Sequence, residues 1–166
     1  MRSHWEIRRR ERLDGVSHLL TEVEGKSVLD LGCNRGLVCY EFAVAGAAYV
    51  SGVDKNEQAI ATARHLFDDV TTCRWKFAHR DLVYGLPYDE EVFDFILLLG
   101  VYHKLRRVMN QKGLNCLVAQ ASHGVRTFVW NGFPEEFALI NDVLKSEFDH
   151  DYRVANVQQW CVWRRR

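Results

Sequence analysis

The chain has 166 residues, 48% of them hydrophobic, and its 22 Lys plus Arg balance 22 Asp plus Glu. That supports one folded domain with a core of its own and excludes a disordered chain. A zero net charge gives no sign of a nucleic-acid or membrane partner, and the longest apolar run, "VFDFILLLGV", is too short to span a bilayer and carries Asp94.

The 5 cysteines are odd in number and form no CxxC pair. A disulfide framework and a zinc site are therefore not expected, and a reducing, cytoplasmic setting fits. The arginine-rich start is not followed by an apolar run, so it does not read as a secretory signal. Both ends are locally basic, "RSHWEIRRRER" and "CVWRRR".

In chain order, residues 1–24 read as an amphipathic helix with Leu13, Val16, Leu19 and Leu20 on one face, ended by Gly25. Residues 28–31 form a short strand. A helix over 36–45 follows, closed by Gly46. "AYVSGVD" is the second strand, and Asn56 caps a helix that runs to about Phe67. "CRWKFAH" alternates, with Cys73, Trp75, Phe77 and His79 on one side and Arg74 and Lys76 on the other, as an edge strand would. "FDFILLL" is apolar on both faces, like a central parallel strand. "RTFVWNG" is the next strand, Pro134 begins a helix to about Lys145, and "DYRVANVQQWCVW" closes as two short strands in a hairpin. No repeat and no linker interrupts this order, so a single domain over 1–166 is expected, with 1–25 as an N-terminal helical segment. Strands that alternate with helices predict a doubly wound α/β fold with a mainly parallel sheet and helices on both faces.

In such sheets ligands bind beyond the carboxyl ends of the strands. Four of these ends carry chemistry. "DLGCNRG" leaves the first strand through bare backbone and enters a helix, whose N–H groups favour a polar ligand. Its spacing is Gly32, Asn34, Gly36, with Leu37 where a dinucleotide fingerprint would place its last glycine; this disfavours a nucleoside-binding oxidoreductase. Asn34 tolerates left-handed backbone better than most residues. "VSGVDKN" puts Asp54 at the tip of the second strand, where a carboxylate can accept from a ribose diol. "FAHRDL" puts Asp81 after the edge strand, able to accept from an exocyclic amine, and "LLLGVYHKL" puts Tyr102 and His103 just past the central one.

Together these motifs resemble the class I S-adenosylmethionine-dependent methyltransferases over about residues 26–105. The resemblance implies a seven-stranded sheet with its last strand antiparallel, residues 26–105 as the cofactor-binding half, and 106–166 as the remainder. It implies that Asp30 and the backbone of Gly32, Cys33, Asn34 and Gly36 hold the methionine part of the cofactor. Asp54, with Lys55 beside it, would hold the ribose. Asp81 and Leu82 would flank the adenine, and Leu99 and Gly100 would line the floor near the sulfonium.

Methyl transfer from a sulfonium is an in-line displacement that positioning alone can accelerate. A base is needed only where the acceptor must lose a proton. His103, with Tyr102 beside it, is the candidate, since it titrates near neutrality; the alternative is that it buttresses the next helix. Cys33 is read as a small loop residue with no nucleophilic role. The acidic runs at 89–91 and 149–151 and the remaining histidines show no metal-ligand spacing.

The Asn/Asp-Pro-Pro-aromatic run of amine-methylating nucleic-acid enzymes and the Pro-Cys of cytosine-5 enzymes are both absent, and "LGVY" stands at that position. A small-molecule acceptor or a modified RNA nucleoside is therefore expected. RNA could be touched through the basic termini, and the acceptor pocket is expected from the N-terminal helix, the loops after Gly100 and Asn131, or a partner chain or second copy. The alternative is a non-catalytic S-adenosylmethionine-binding subunit that regulates or scaffolds a larger assembly.

Overall fold

The computed structural model describes residues 15–86, 92–155 and 158–166. The expected helix over 1–24 lies mostly outside these residues. Its described part is one 3-10 turn, Ser17–Thr21, with Val16, Leu19 and Val23 fully buried and Leu20 packed beside them.

Seven strands form one sheet. In chain order they are β1 (Ser27–Leu31), β2 (Tyr49–Asp54), β3 (Arg74–His79), β4 (Phe95–Leu99), β5 (Thr127–Gly132), β6 (Phe148–Ala155) and β7 (Gln158–Arg165). The spatial order is β3-β2-β1-β4-β5-β7-β6. β3 through β5 pair in parallel, and β7 runs antiparallel to both of its neighbours. The expected doubly wound α/β sheet with an antiparallel last strand is thus the observed one.

Burial follows the two-residue period of a strand. Phe95 and Leu97 enter one core layer while Ile96 and Leu98 enter the other, so β4 is apolar on both faces because both are covered. The first layer lies under helices α1 (Leu37–Val44) and α2 (Glu57–Leu66), with Phe42, Ile60 and Phe67 at its centre. The second lies under α4 (Gln111–Ser122) and α5 (Pro134–Leu144), built on Leu114, Val118, Ile140, Trp130 and Trp163. Between them in sequence, α3 (Tyr102–Leu105) is a single turn.

Local chemistry sets the element ends. Asn56 Oδ1 accepts from the Ala59 N–H at 3.1 Å, the expected cap of α2. Gly46, at φ 99°, donates back to Ala43 O and stops α1. Pro134 occupies the first turn of α5. The start of β1 is clamped to that of β4: Ser27 donates to Asp94 Oδ2 through its N–H and hydroxyl, and the Asp94 N–H donates back to Ser27 Oγ.

Three details differ from expectation. No bounds are predicted for α4, although Asn110 Oδ1 caps it through the Gly113 N–H and Leu114, Leu117, Val118 and Ala121 form its buried stripe. The closing strands are longer than the segment suggested, since β6 begins at Phe148. His79 does not join Phe77 in the core. It is exposed at the strand tip, with Nε2 3.0 Å from the Lys55 carbonyl oxygen.

Candidate functional site

The carboxyl ends of β1, β2, β3, β4 and β5 open on one cavity of about 270 Å³. β1 leads into it through a loop with no room for side chains at its glycines. Gly32 has φ 90°, and a Cβ there would come within 2.4 Å of Val101 Cγ2. Gly36 has φ 74°, with Ala63 Cβ 3.0 Å from where its own Cβ would stand. Asn34 lies between them at φ 51°, the one non-glycine among the described residues in left-handed backbone. The Gly32 and Cys33 N–H groups both donate to Val53 O, which sews the loop to the end of β2.

Asp54 then fixes the loop from below. Its Oδ2 accepts from the Asn34 N–H at 2.9 Å and its Oδ1 from the Asn56 N–H at 2.8 Å. Each carboxylate oxygen keeps a further lone pair beside the cavity. Asp81 Oδ1 accepts from the Val83 N–H at 3.1 Å and caps the 3-10 turn Leu82–Tyr84. Asp30 is buried beneath the loop, with Cys39 Sγ 3.9 Å from its Oδ2. Gly100 takes φ 63° and donates its N–H to Asn131 O.

The cavity is bordered by Asp30, Gly32, Cys33, Asn34, Asp54, Lys55, Asp81, Leu82, Leu99 and Gly100, all anticipated from the sequence. Gly36 stands behind it, as the first residue of the turn into α1. Tyr102 and His103 are not among its bordering residues. Tyr102 is buried at 1% exposure, its hydroxyl accepts from Gln111 Nε2 at 3.3 Å, and burial raises its pKa. His103 packs its ring edge-on against Phe133, with centroids 5.2 Å apart, and its Nδ1 is buried without a partner. Burial, then the charges of Lys104 and Arg107, lower its pKa and hold the imidazole neutral. Burial beside Asp30 and Asp54 pushes the Cys33 thiol far above its ordinary range, the state of an inert thiol.

The segment after Gly100 borders the cavity through Val101, Lys104, Leu105 and Val108, and Asn131 borders it at the end of β5, whereas Val38, Arg80, Val83 and Trp160 are not singled out from the sequence. Trp160 is the instructive one. It pairs with Asn131 in the antiparallel β5–β7 ladder, so the start of β7 lies at the same end of the sheet as the carboxyl end of β5. A search confined to carboxyl ends passes over it.

Residues 28–121 match the family model of the methyltransferase domain. The chain belongs to that family. Among its relatives, the tRNA U34 carboxymethyltransferase of Pseudomonas putida (strain W619) is 30% identical over 151 residues, covering 87% of this chain and 46% of the relative. The ubiquinone biosynthesis O-methyltransferase of Neisseria meningitidis serogroup C (strain 053442) is 46% identical over 43 residues, 26% of this chain and 18% of the relative. The chain therefore spans less than half the length of these curated relatives. Magnesium protoporphyrin IX methyltransferase from Synechocystis PCC 6803, solved with bound S-adenosylmethionine, superposes with a TM-score of 0.74 at 18% identity, over 98% of this chain and 82% of that one. The N-methyltransferase NodS from Bradyrhizobium japonicum WM9 superposes at 0.73 and 13% identity, over 96% and 97%. These likenesses establish the class I methyltransferase fold. Among the described residues no helix is long and apolar enough to cross a membrane.

The C-terminal basic run is engaged within the chain. Arg164 pairs with Glu22, Arg165 with Glu147, and Arg166 with Asp149. The N-terminal basic run lies outside the described residues.

Proposed function

We propose that this chain is an S-adenosylmethionine-dependent methyltransferase of one domain, with 26–105 as its cofactor-binding half. The observation that carries this reading is Asp54, held at the tip of β2 by two backbone N–H groups with lone pairs left beside the cavity. That is the acceptor set a ribose diol requires. Gly32 supports it, because it borders the cavity beside the buried carboxylate of Asp30. In this reading Gly32, Cys33, Asn34 and Gly36 present backbone to the methionine end, and Asp30 accepts from its ammonium. Asp54 and Lys55 border the ribose. Asp81 and Leu82 flank the adenine, and Leu99 and Gly100 form the floor beneath the reacting centre.

Bound there, S-adenosylmethionine supplies an electrophilic methyl group on a sulfonium. The chain's task is to hold the acceptor in line with that methyl and to exclude water. Leu99, Val101, Leu105 and Trp160 give the apolar walls for this. His103 is neutral near pH 7, the form in which it can take a proton from a hydroxyl or amine. Tyr102, locked by Gln111, positions the turn that carries His103. The acceptor class is a small molecule or a modified RNA nucleoside, in line with what the relatives' names record for those proteins.

One observation favours a second reading, a cofactor-binding subunit without turnover: neither His103 nor Tyr102 borders the cavity. Titration with S-adenosylhomocysteine tests the cofactor site, with micromolar binding expected and no binding overturning both readings. Transfer of a labelled methyl group into a cell extract separates them, because a regulatory subunit binds and transfers nothing.

A further inference from the structure

Three exposed cations border the cavity: Lys55, Arg80 and Lys104. Two acids beside them take backbone N–H groups instead: Asp54 those of Asn34 and Asn56, and Asp81 that of Val83. Several other cations of the fold are engaged. Arg64 donates to Phe77 O, and Arg164, Arg165 and Arg166 each meet a carboxylate. Among the described residues Lys55, which the cofactor reading places beside the ribose, has no acidic partner, and neither do Arg80 and Lys104. They reach the same cavity from separate elements, Arg80 from the end of β3 and Lys104 from α3. Arg80 is anchored through its backbone N–H on Asp54 O. Lys104 stands among Val101, Leu105 and Val108, which give that wall an apolar surface. The positive charge extends past the end of α3, since Lys104 and Arg107 both act on His103.

Two uncommitted cations beside an apolar wall make a site for a ligand with an apolar body and an anionic end. Arg offers a planar fork for a carboxylate or phosphate, and Lys adds a point charge. We propose that Arg80 and Lys104 form an anion subsite at the mouth of the cavity, which selects an acceptor bearing a carboxylate or phosphate on an apolar body. This rests on the cofactor assignment above for its link to methyl transfer, and it names the acceptor class that assignment leaves open. It favours a small organic anion over a neutral acceptor.

The test uses three probes of one shape: benzoate, phenyl phosphate and benzyl alcohol. Each is titrated by NMR into the full chain at low salt, with and without saturating S-adenosylhomocysteine, following the indole N–H of Trp160. Benzoate or phenyl phosphate is expected to shift that signal at least ten times more tightly than benzyl alcohol, and to weaken as salt is raised. A stronger response to one anion assigns the acceptor's charged group. Arg80→Ala/Lys104→Ala should lose at least tenfold in anion affinity, while its affinity for S-adenosylhomocysteine stays within about twofold. Equal binding of all three probes, or full retention in the double variant, overturns the subsite. A failure of S-adenosylhomocysteine to bind would instead overturn the cofactor reading, and the titration run without it still decides the anion subsite.

Discussion

The backbone N–H of Asn34 donates to Asp54 Oδ2 at 2.9 Å, joining the loop after β1 to the tip of β2. One carboxylate thereby shapes the glycine-rich loop and borders the cavity that the loop encloses. Asp54→Ala should lower affinity for S-adenosylhomocysteine at least 100-fold by calorimetry. It also frees two backbone donors, so a stability cost of about 1–2 kcal/mol is expected in urea unfolding. Asp54→Asn keeps the shape and one acceptor oxygen, and should fall between wild type and Asp54→Ala in both measurements. Affinity unchanged in the alanine variant would remove Asp54 from the site.

Gly32 and Val101 leave no space between them. Gly32→Ala places a Cβ 2.4 Å from Val101 Cγ2 at a backbone angle of φ 90°. The expected loss is about 2–4 kcal/mol, from overpacking and strained backbone together. Trimming the neighbour in Gly32→Ala/Val101→Ala should recover the steric part alone. Full recovery in denaturant melts would show that backbone angle contributes nothing at this position.

Asn34 sits at φ 51° without being a glycine. Asn34→Gly should change stability by less than about 1 kcal/mol, whereas Asn34→Val should cost about 1–2 kcal/mol, because a β-branched residue is a poor tenant of left-handed backbone. Equal melting temperatures for the two variants would contradict the described loop.

Glu136 is fully buried near the start of α5, and burial raises its carboxyl above the ordinary value of 4.5. A carboxyl with a raised folded-state pKa favours the folded state at low pH, and that contribution is lost as pH rises from 4.5 through the folded value. Glu136→Gln removes the charge and retains an acceptor for the Phe133 N–H. The variant should therefore be more stable than wild type at pH 7, with the gap closing below pH 4.5. A gap that persists unchanged to acid pH would mean that the Glu136 carboxyl titrates alike in the folded and unfolded chain, against a pKa raised by burial.

His103 has its pKa lowered from 6.5, so the acid limb of a base-assisted reaction should lie below pH 6.5. His103→Ala should reduce turnover about 100-fold once an acceptor is in hand, with affinity for S-adenosylhomocysteine kept. An unaltered rate and pH profile would leave His103 as the ring that packs on Phe133.

The succession of strands along the chain and the placing of most cavity residues were legible because they rest on local signals. Asp54 follows an apolar run and precedes an Asn cap, and Gly32 and Asn34 interrupt a strand where backbone must turn. α4 is less legible although Asn110 marks its start, since Gly113 in its first turn weakens the helical pattern. Lys104 and Trp160 were harder. Lys104 looks like any charge on a surface helix until the cavity wall is drawn, and Trp160 enters the site only through pairing with a strand nearly 30 residues earlier. Non-local pairing leaves no trace in a local pattern.

That same pairing sets a condition on assembly. β7 comes after β6 in the chain yet lies inside it in the sheet, bonded to β5 on one side and β6 on the other. While β7 is unplaced, β5 presents an open edge carrying Phe128, Val129 and Trp130, and Asn131 lacks the Gln159 carbonyl it donates to. Such an edge invites pairing with another chain. The final strand thus doubles as a guard against aggregation, and the cavity gains Trp160 only in a chain whose sheet has already closed.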